Sequence, residues 1–389
     1  MGGWLGRAGS IIGHRGGTAR SCLLAFLVAC TASPFGIGKA VAAAHASGGP
    51  KPGAAQNFTY ASGPLSNPYI VYTPTRYNPH RRLPLFVMLH GCQTSAYQEM
   101  EATQLNLLAS QRGFVVLYPD VDQIGRLQPS ITYNCWKFPD PRSWMRGQGD
   151  AAEIAGMTRA VMRRWNIDPQ RVYLSGISGG GFMTSILAAA YPDLYAAVAL
   201  FAGGAYGDFS CLVGSPGALS AEQSAQLAFD QMGPRARVVP ILVGGGDADP
   251  AVTPACADKA LQQGLRTNNL VLDGVQTRPV ALTPESVRSY QKPGGYSYRV
   301  SSYFDGHGCL IGERLLIHGM QHFWPGGSSD PQWHYWTDPK GPSGAVAAWG
   351  FVSRFRKAAT AWSCRKPPSR HSHRPPARRH RSRTRRAES

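Results

Sequence analysis

The stretch Arg171-Val-Tyr-Leu-Ser-Gly-Ile-Ser-Gly-Gly-Gly181 decides the fold. Its first half, 171–174, is short and rich in β-branched and aromatic residues, which reads as a strand. A G-x-S-x-G turn follows at once, and residues 180–190 continue with helical character. Such a strand-to-helix elbow holds its central serine in a strained turn with the hydroxyl exposed. Glycines must flank it, because side chains there would strike the strand and the helix. Ser178 is therefore the candidate nucleophile.

Outward from this elbow, apolar runs recur at 69–72, 85–89, 114–118, 196–201, 238–243 and 314–317, with amphipathic segments such as 150–165 between several of them. Parallel strands need crossover connections, so this alternation predicts an α/β fold: a largely parallel sheet with helices on both faces. One domain is expected at 59–364, preceded by an export signal at 1–46 and a flexible leader at 47–58, and followed by a disordered tail at 365–389. Residues 263–295, rich in Thr, Pro, Gly and Gln, read as a long surface excursion.

Composition agrees with a single sizeable core. The chain has 389 residues, 43% hydrophobic and 16% charged, which excludes disorder throughout, collagen-like repetition and a polytopic membrane protein. The net charge of +18 suggests a nucleic-acid binder until it is located: +9 lies in 365–389 and +4 in 1–46, leaving +5 for the rest. The tail has no apolar side chain larger than Ala or Pro and cannot offset the entropy of ordering. It reads as a solvated tail, the alternative being attachment to an anionic surface such as cell-envelope phosphate or acidic polysaccharide. It lacks aromatic residues for base stacking, which argues against nucleic acid.

At the other end, Arg7, Arg15 and Arg20 precede an apolar run at 22–29 and small residues at 40–46, the order of an export signal. The run is too short to span a bilayer, so no transmembrane segment is expected in the mature chain. Leu27-Val-Ala-Cys30 offers a second reading, a lipobox with acylation at Cys30. Either way the protein is expected outside the cytoplasm. Apart from Cys22 and Cys30, six cysteines remain (Cys92, Cys135, Cys211, Cys256, Cys309, Cys364), an even number in a compartment that permits disulfides. No metal is expected: there is no C-x-x-C or H-E-x-x-H, and His318 and His322 have no Glu or Cys to complete a ligand set.

A serine hydroxyl attacks only when a histidine accepts its proton and a carboxylate fixes that histidine. On this kind of elbow the chain order is serine, acid, histidine. After Ser178, the run 238–243 leads into Gly244-Gly-Gly-Asp247-Ala-Asp249, and the run 314–317 leads into His318-Gly-Met-Gln-His322. Asp249 is the expected acid, with Asp247 capping the loop. His322 is the expected base, because His318 directly continues the strand and reads as a buried histidine. The oxyanion of acyl transfer needs donors. The backbone N–H of Gly179 supplies one, and that of Cys92, in the loop after 85–89, the other. His90 is expected to orient this loop.

The motifs His90-Gly-Cys-Gln, Asn134-Cys-Trp136, Arg146-Gly-Gln-Gly-Asp150, Gly176-Ile-Ser-Gly-Gly-Gly181, Gly246-Asp-Ala-Asp249, Gly319-Met-Gln-His322-Phe-Trp-Pro-Gly-Gly and Thr337-Asp-Pro-Lys-Gly-Pro342 together resemble the poly(3-hydroxybutyrate) depolymerase family of secreted esterases, relatives of feruloyl and acetyl-xylan esterases. The resemblance runs from about 60 to 357. It implies an α/β-hydrolase fold, the triad Ser178, Asp249 and His322, no cofactor and a Cys92–Cys135 disulfide. It further implies an ester substrate, poly- or oligo(3-hydroxyalkanoate) first, with feruloyl or acetyl-xylan esters as the alternative. The chain departs from the family at Gly245, where a His is common, and in the loop 204–235; no separate substrate-binding domain is visible. Trp136, Phe138, Trp144, Trp324, Trp333, Tyr335 and Trp336 are candidates to line an aromatic substrate cleft, with Trp136 and Trp324 foremost. The rival readings are an acyl transfer to an envelope sugar, and a non-catalytic exported binding protein on the same scaffold.

Overall fold

Strands β1 (Ala55–Ser62), β2 (Leu65–Tyr72), β3 (Leu83–Leu89), β4 (Val115–Pro119), β5 (Ile167–Ile177), β6 (Ala197–Phe201), β7 (Ile241–Gly246), β8 (Ser286–Gln291), β9 (Ser297–Phe304) and β10 (Leu310–Ile317) form one sheet in the order β1-β2-β4-β3-β5-β6-β7-β10-β9-β8. This computed structural model describes residues 49–62, 65–122, 133–212, 215–273 and 279–357. The export signal, the Cys30 alternative, Cys364 and the basic tail lie outside the described residues.

From β4 to β10 the six central strands are parallel, and antiparallel hairpins extend both edges. Residues of β3, β4, β6 and β7 are buried throughout, which is why their sequences read as unbroken apolar runs and not as alternation. Helices α1 (Ala96–Thr103), α2 (Leu105–Arg112) and α7 (Gly344–Val352) pack against one side of the sheet. The other side carries α3 (Gly149–Arg164), α4 (Gly179–Ala190), α5 (Ala221–Met232) and α6 (Pro254–Leu272). After β3 the chain moves outward to β4 and then returns to lay β5 on the opposite side of β3, with Leu89 level with Gly176. Ligand sites of open α/β sheets form at such a reversal, beyond the carboxyl ends of the strands.

The structure corrects three boundaries. The leader is not flexible to residue 58: β1 starts at Ala55 and pairs Gln56 with Val71 and Phe58 with Tyr69, while Gly53 N–H donates to Thr73 O. The strand expected at 238–243 begins at Ile241, after Pro240, which has no N–H to give a ladder. Residues 263–295 are not a single excursion, since α6 continues to Leu272 and β8 occupies Ser286–Gln291. The helix was hidden because polar residues lie on its buried side. Gln263 bonds Thr267 at 2.9 Å, and Asn268 Nδ2 donates to Val239 O at 3.0 Å. The unfamiliar loop 204–235 contains α5, opened by a Ser220/Gln223 capping box.

Candidate active site

Ser178 stands between the last residue of β5 and the first of α4 with φ 55° and ψ −121°, a conformation that costs a side-chain-bearing residue on the order of 1–3 kcal/mol. Two backbone bonds hold it there. Its N–H donates to Phe201 O at the end of β6, and its carbonyl accepts from Phe182 N as the first turn of α4, both at 3.0 Å. The elbow is tight: a Cβ on Gly176 would lie 2.3 Å from Gly180 O. That contact explains the glycines of the motif.

The loops after β7 and β10 leave the sheet side by side, because Gly246 pairs with Ile317. They stay joined: Asp247 N–H donates to Ile317 O at 3.0 Å, and Ala248 N–H to Met320 O at 3.2 Å. At their tips His322 Nδ1 lies 2.7 Å from Asp249 Oδ2. The other oxygen of Asp249 accepts from Ala251 N–H at 2.8 Å and Val252 N–H at 2.9 Å. The Asp249 side chain is 1% exposed and that of His322 27%. A carboxylate fixed on both oxygens selects the tautomer with its proton on Nδ1, leaving Nε2 able to accept one. Trp324, two residues beyond His322, packs its ring 4.5 Å from that of Phe201, whose carbonyl receives the Ser178 N–H. The structure joins Asp249 to His322 and draws their loops to the elbow; it records no hydrogen bond between Ser178 Oγ and His322.

A second pair hangs from the same loops. Asp247 Oδ2 lies 2.8 Å from His318 Nδ1, and its Oδ1 accepts from Gly319 N–H at 2.6 Å. His318 is not buried as expected, since its side chain is 44% exposed. Position 318 falls just past the end of β10: its N–H still donates to Ser297 O of β9 at 2.9 Å, but its side chain turns to Asp247 and solvent. Burial alone would raise the Asp247 carboxyl, but the Gly319 amide and the His318 ring outweigh it and hold the group below its usual range.

On the other side of the elbow, His90-Gly91-Cys92 follows β3. Cys92 and Cys135 form a disulfide, and Cys211 and Cys256 another; Cys309 is disulfide-bonded too. A Cβ on Gly179 would sit 2.7 Å from Cys92 Sγ, so the two expected oxyanion donors belong to neighbouring residues. Gln93, with φ 64°, turns the loop, and its N–H donates to Tyr133 O at 2.9 Å. His90 is wholly buried; its Nδ1–H donates to Gly91 O at 2.7 Å, and Nε2 lies 3.3 Å from Asp120 Oδ1.

The aromatic residues expected foremost in a cleft do not line one. Trp136 and Trp324 are each 1% exposed. Trp136 lies beneath the loop, with its Nε1–H donating to His90 O at 2.9 Å, while Trp324 packs on Phe201. Flat indoles of this size brace the loops from below instead of meeting solvent. Exposed aromatic residues include Tyr97, Tyr133 and Tyr335, at 55%, 53% and 67%, besides Tyr290 on the edge strand β8. Tyr335 OH donates to Gln93 Oε1 at 3.4 Å, and Trp333 packs edge-on to Tyr97. Nothing in the local sequence of Tyr97 or Tyr133 distinguished them from core aromatics. A cavity of about 1070 Å³ lies elsewhere, between β8–β10 and α7.

Residues 67–289 match the family model described as Esterase PHB depolymerase, a span that holds Ser178 and Asp249 and ends before His322. The chain is similar to feruloyl esterase B of Thermothelomyces thermophilus, at 29% identity over 66% of this chain and 89% of that protein. It is also similar to poly(3-hydroxyalkanoate) depolymerase C of Paucimonas lemoignei, at 33% identity over 62% of this chain, although it spans only 55% of that protein. Among solved structures, an acetyl xylan esterase from Aspergillus awamori superimposes with a TM-score of 0.56 at 20% identity, covering 69% of this chain and 94% of that one. The fold is that of the α/β-hydrolase esterases.

Proposed function

The chain belongs to the PHB depolymerase esterase family and is a carboxylic-ester hydrolase, and from that premise we propose that it works as a secreted serine esterase on poly- or oligo(3-hydroxyalkanoate). Ser178 attacks the ester carbonyl while His322 takes its proton. Asp249 holds His322, and the Gly179 and Cys92 amides receive the oxyanion. His322 then returns the proton to the leaving alcohol, and water, activated by the same imidazole, releases the hydroxy acid. The Ser178–His322 contact closes when substrate orders the site, as such bonds commonly tighten in the bound complex.

The observation that carries this reading is the enclosed Asp249–His322 pair on loops packed against a positive-φ serine elbow. Exposed Tyr97, Tyr133 and Tyr335 favour an extended ester over a small enclosed one. The two disulfides among described residues support an oxidising compartment, and no described helix is long and apolar enough to cross a membrane. For the basic segment 365–389 we propose attachment to anionic surfaces, which deletion of that segment should abolish at low salt.

A second reading, feruloyl or acetyl-xylan ester hydrolysis, is favoured by the fuller span shared with feruloyl esterase B. The deciding experiment compares wild type and Ser178→Ala on 3-hydroxybutyrate oligomers, amorphous polymer, methyl ferulate and acetylated xylan. Turnover of the oligomers well above the other esters, lost in Ser178→Ala, is expected; preference for methyl ferulate would move the assignment to the second reading.

A further inference from the structure

The segment 133–138 touches every part of the oxyanion side. Asn134 Nδ2 donates to Thr94 O, Cys135 is bonded to Cys92, and Trp136 Nε1 donates to His90 O. A Cβ on Gly179 would lie 3.4 Å from the Phe138 ring, which stacks on Phe182 of α4 at 4.8 Å. Whatever fixes this strap therefore fixes both amides that face the oxyanion.

Between Trp136 and Phe138 stands Lys137, whose side chain is 34% exposed and reaches two buried carboxylates away from the strap. Its ammonium lies 2.6 Å from Asp122 Oδ2 and 3.8 Å from Asp150 Oδ1, and its backbone N–H donates to Asp150 Oδ2 at 2.5 Å. Asp122 follows β4 by three residues and Asp150 sits in the first turn of α3, where a carboxylate also faces the positive end of the helix. Both carboxylate side chains are almost wholly buried, at 1% and 6% exposure. Buried ion pairs contribute little net stability compared with an apolar replacement. Glu153, buried nearby on the same helix, adds a further carboxyl within electrostatic reach of the Lys137 ammonium. A cluster of this kind is a costly way to stabilise a fold but a rigid way to set the height of a strap.

We propose that Lys137, Asp122 and Asp150 are positioning residues that hold the 133–138 strap, and through it the Cys92 and Gly179 amides, at the distance the oxyanion needs. The proposal rests on the serine-esterase reading above. An oxyanion forms only in the transition state, so a slack strap lowers kcat and spares KM. The experiment measures kcat, KM and inhibition by an alkyl boronic acid, whose adduct with Ser178 mimics the tetrahedral oxyanion, for wild type, Lys137→Met, Lys137→Arg and Asp150→Asn. Glu313→Gln, which breaks a part-buried ion pair with Arg354 at the β10–α7 cavity, is the control for general destabilisation.

The expected result is a kcat about 10- to 100-fold lower in Lys137→Met and Asp150→Asn with KM within about twofold. The boronate inhibition constant should rise by the same factor as kcat falls, Lys137→Arg should recover part of the loss, and Glu313→Gln should lower Tm alone. If Lys137→Met does not fold, Asp150→Asn decides, since it keeps the shape and an acceptor. A lowered Tm with unchanged kcat and unchanged boronate inhibition would overturn the proposal. Activity surviving in Ser178→Ala would instead refute the serine reading on which it stands.

Discussion

Two histidine–aspartate pairs hang from the same two loops, bonded through the same atoms at nearly the same distance, 2.7 Å for His322–Asp249 and 2.8 Å for His318–Asp247. What separates them is water. Asp249 is enclosed, and its second oxygen is taken up by two amides; the Asp247 side chain is 36% exposed. An exposed pair is screened and contributes about 0–1 kcal/mol. An enclosed one cannot exchange its partner for solvent and so dictates which nitrogen of the ring carries the proton. The distance within a pair thus says little about its role; the enclosure of the carboxylate says more.

His322→Ala should lower kcat on a short p-nitrophenyl ester by roughly 10⁴-fold or more, and Asp249→Asn by about 10³- to 10⁴-fold. His318→Ala and Asp247→Asn should each change kcat/KM by less than about threefold and stability by no more than about 1 kcal/mol, read from kinetics and from urea unfolding. Equal losses from the two histidines would erase the distinction.

A third carboxyl sharpens it. Glu99 on α1 is buried, one of its oxygens has no hydrogen-bond partner, and burial pushes it up to about 8. Its folded-state value lies above the ordinary one of 4.5, so the folded form keeps a proton that the unfolded form has released. The associated stability is fully present below pH 4.5 and is lost as pH rises towards 8. Relative to Glu99→Gln, wild type should lose at most about 1.4 kcal/mol per pH unit across that window, measured by urea unfolding at several pH values. Parallel stability profiles for the two proteins would show that Glu99 is not held protonated.

The elbow and the loops of Asp249 and His322 are legible because glycine and the strand-to-loop switch leave local marks: Gly176 to Gly181 follows an apolar run, and Asp249 and His322 each follow one too. The choice of Asp249 and His322 over Asp247 and His318 rests on chain order and position relative to the strand; in the folded chain both pairs are hydrogen-bonded, and enclosure is what separates them. Burial was read less well. Trp136 and Trp324 looked like substrate contacts because sequence records that an indole is present, not whether a loop covers it. The polar interior of α6 hid a helix for the complementary reason, since Gln263, Thr267 and Asn268 satisfy one another and the backbone only once folded. Lys137 carried no signal beyond following the Asn134-Cys-Trp136 motif, since its partners lie 15 and 13 residues away in sequence.

The most direct measurement is mass spectrometry of the intact protein after brief exposure to a fluorophosphonate ester, with the adduct located by fragmentation, in wild type and His322→Ala. One adduct per chain is expected, on Ser178, formed rapidly in wild type and at a rate lower by orders of magnitude when His322 is removed. Labelling at another residue, or labelling of Ser178 at an undiminished rate in His322→Ala, would contradict this expectation.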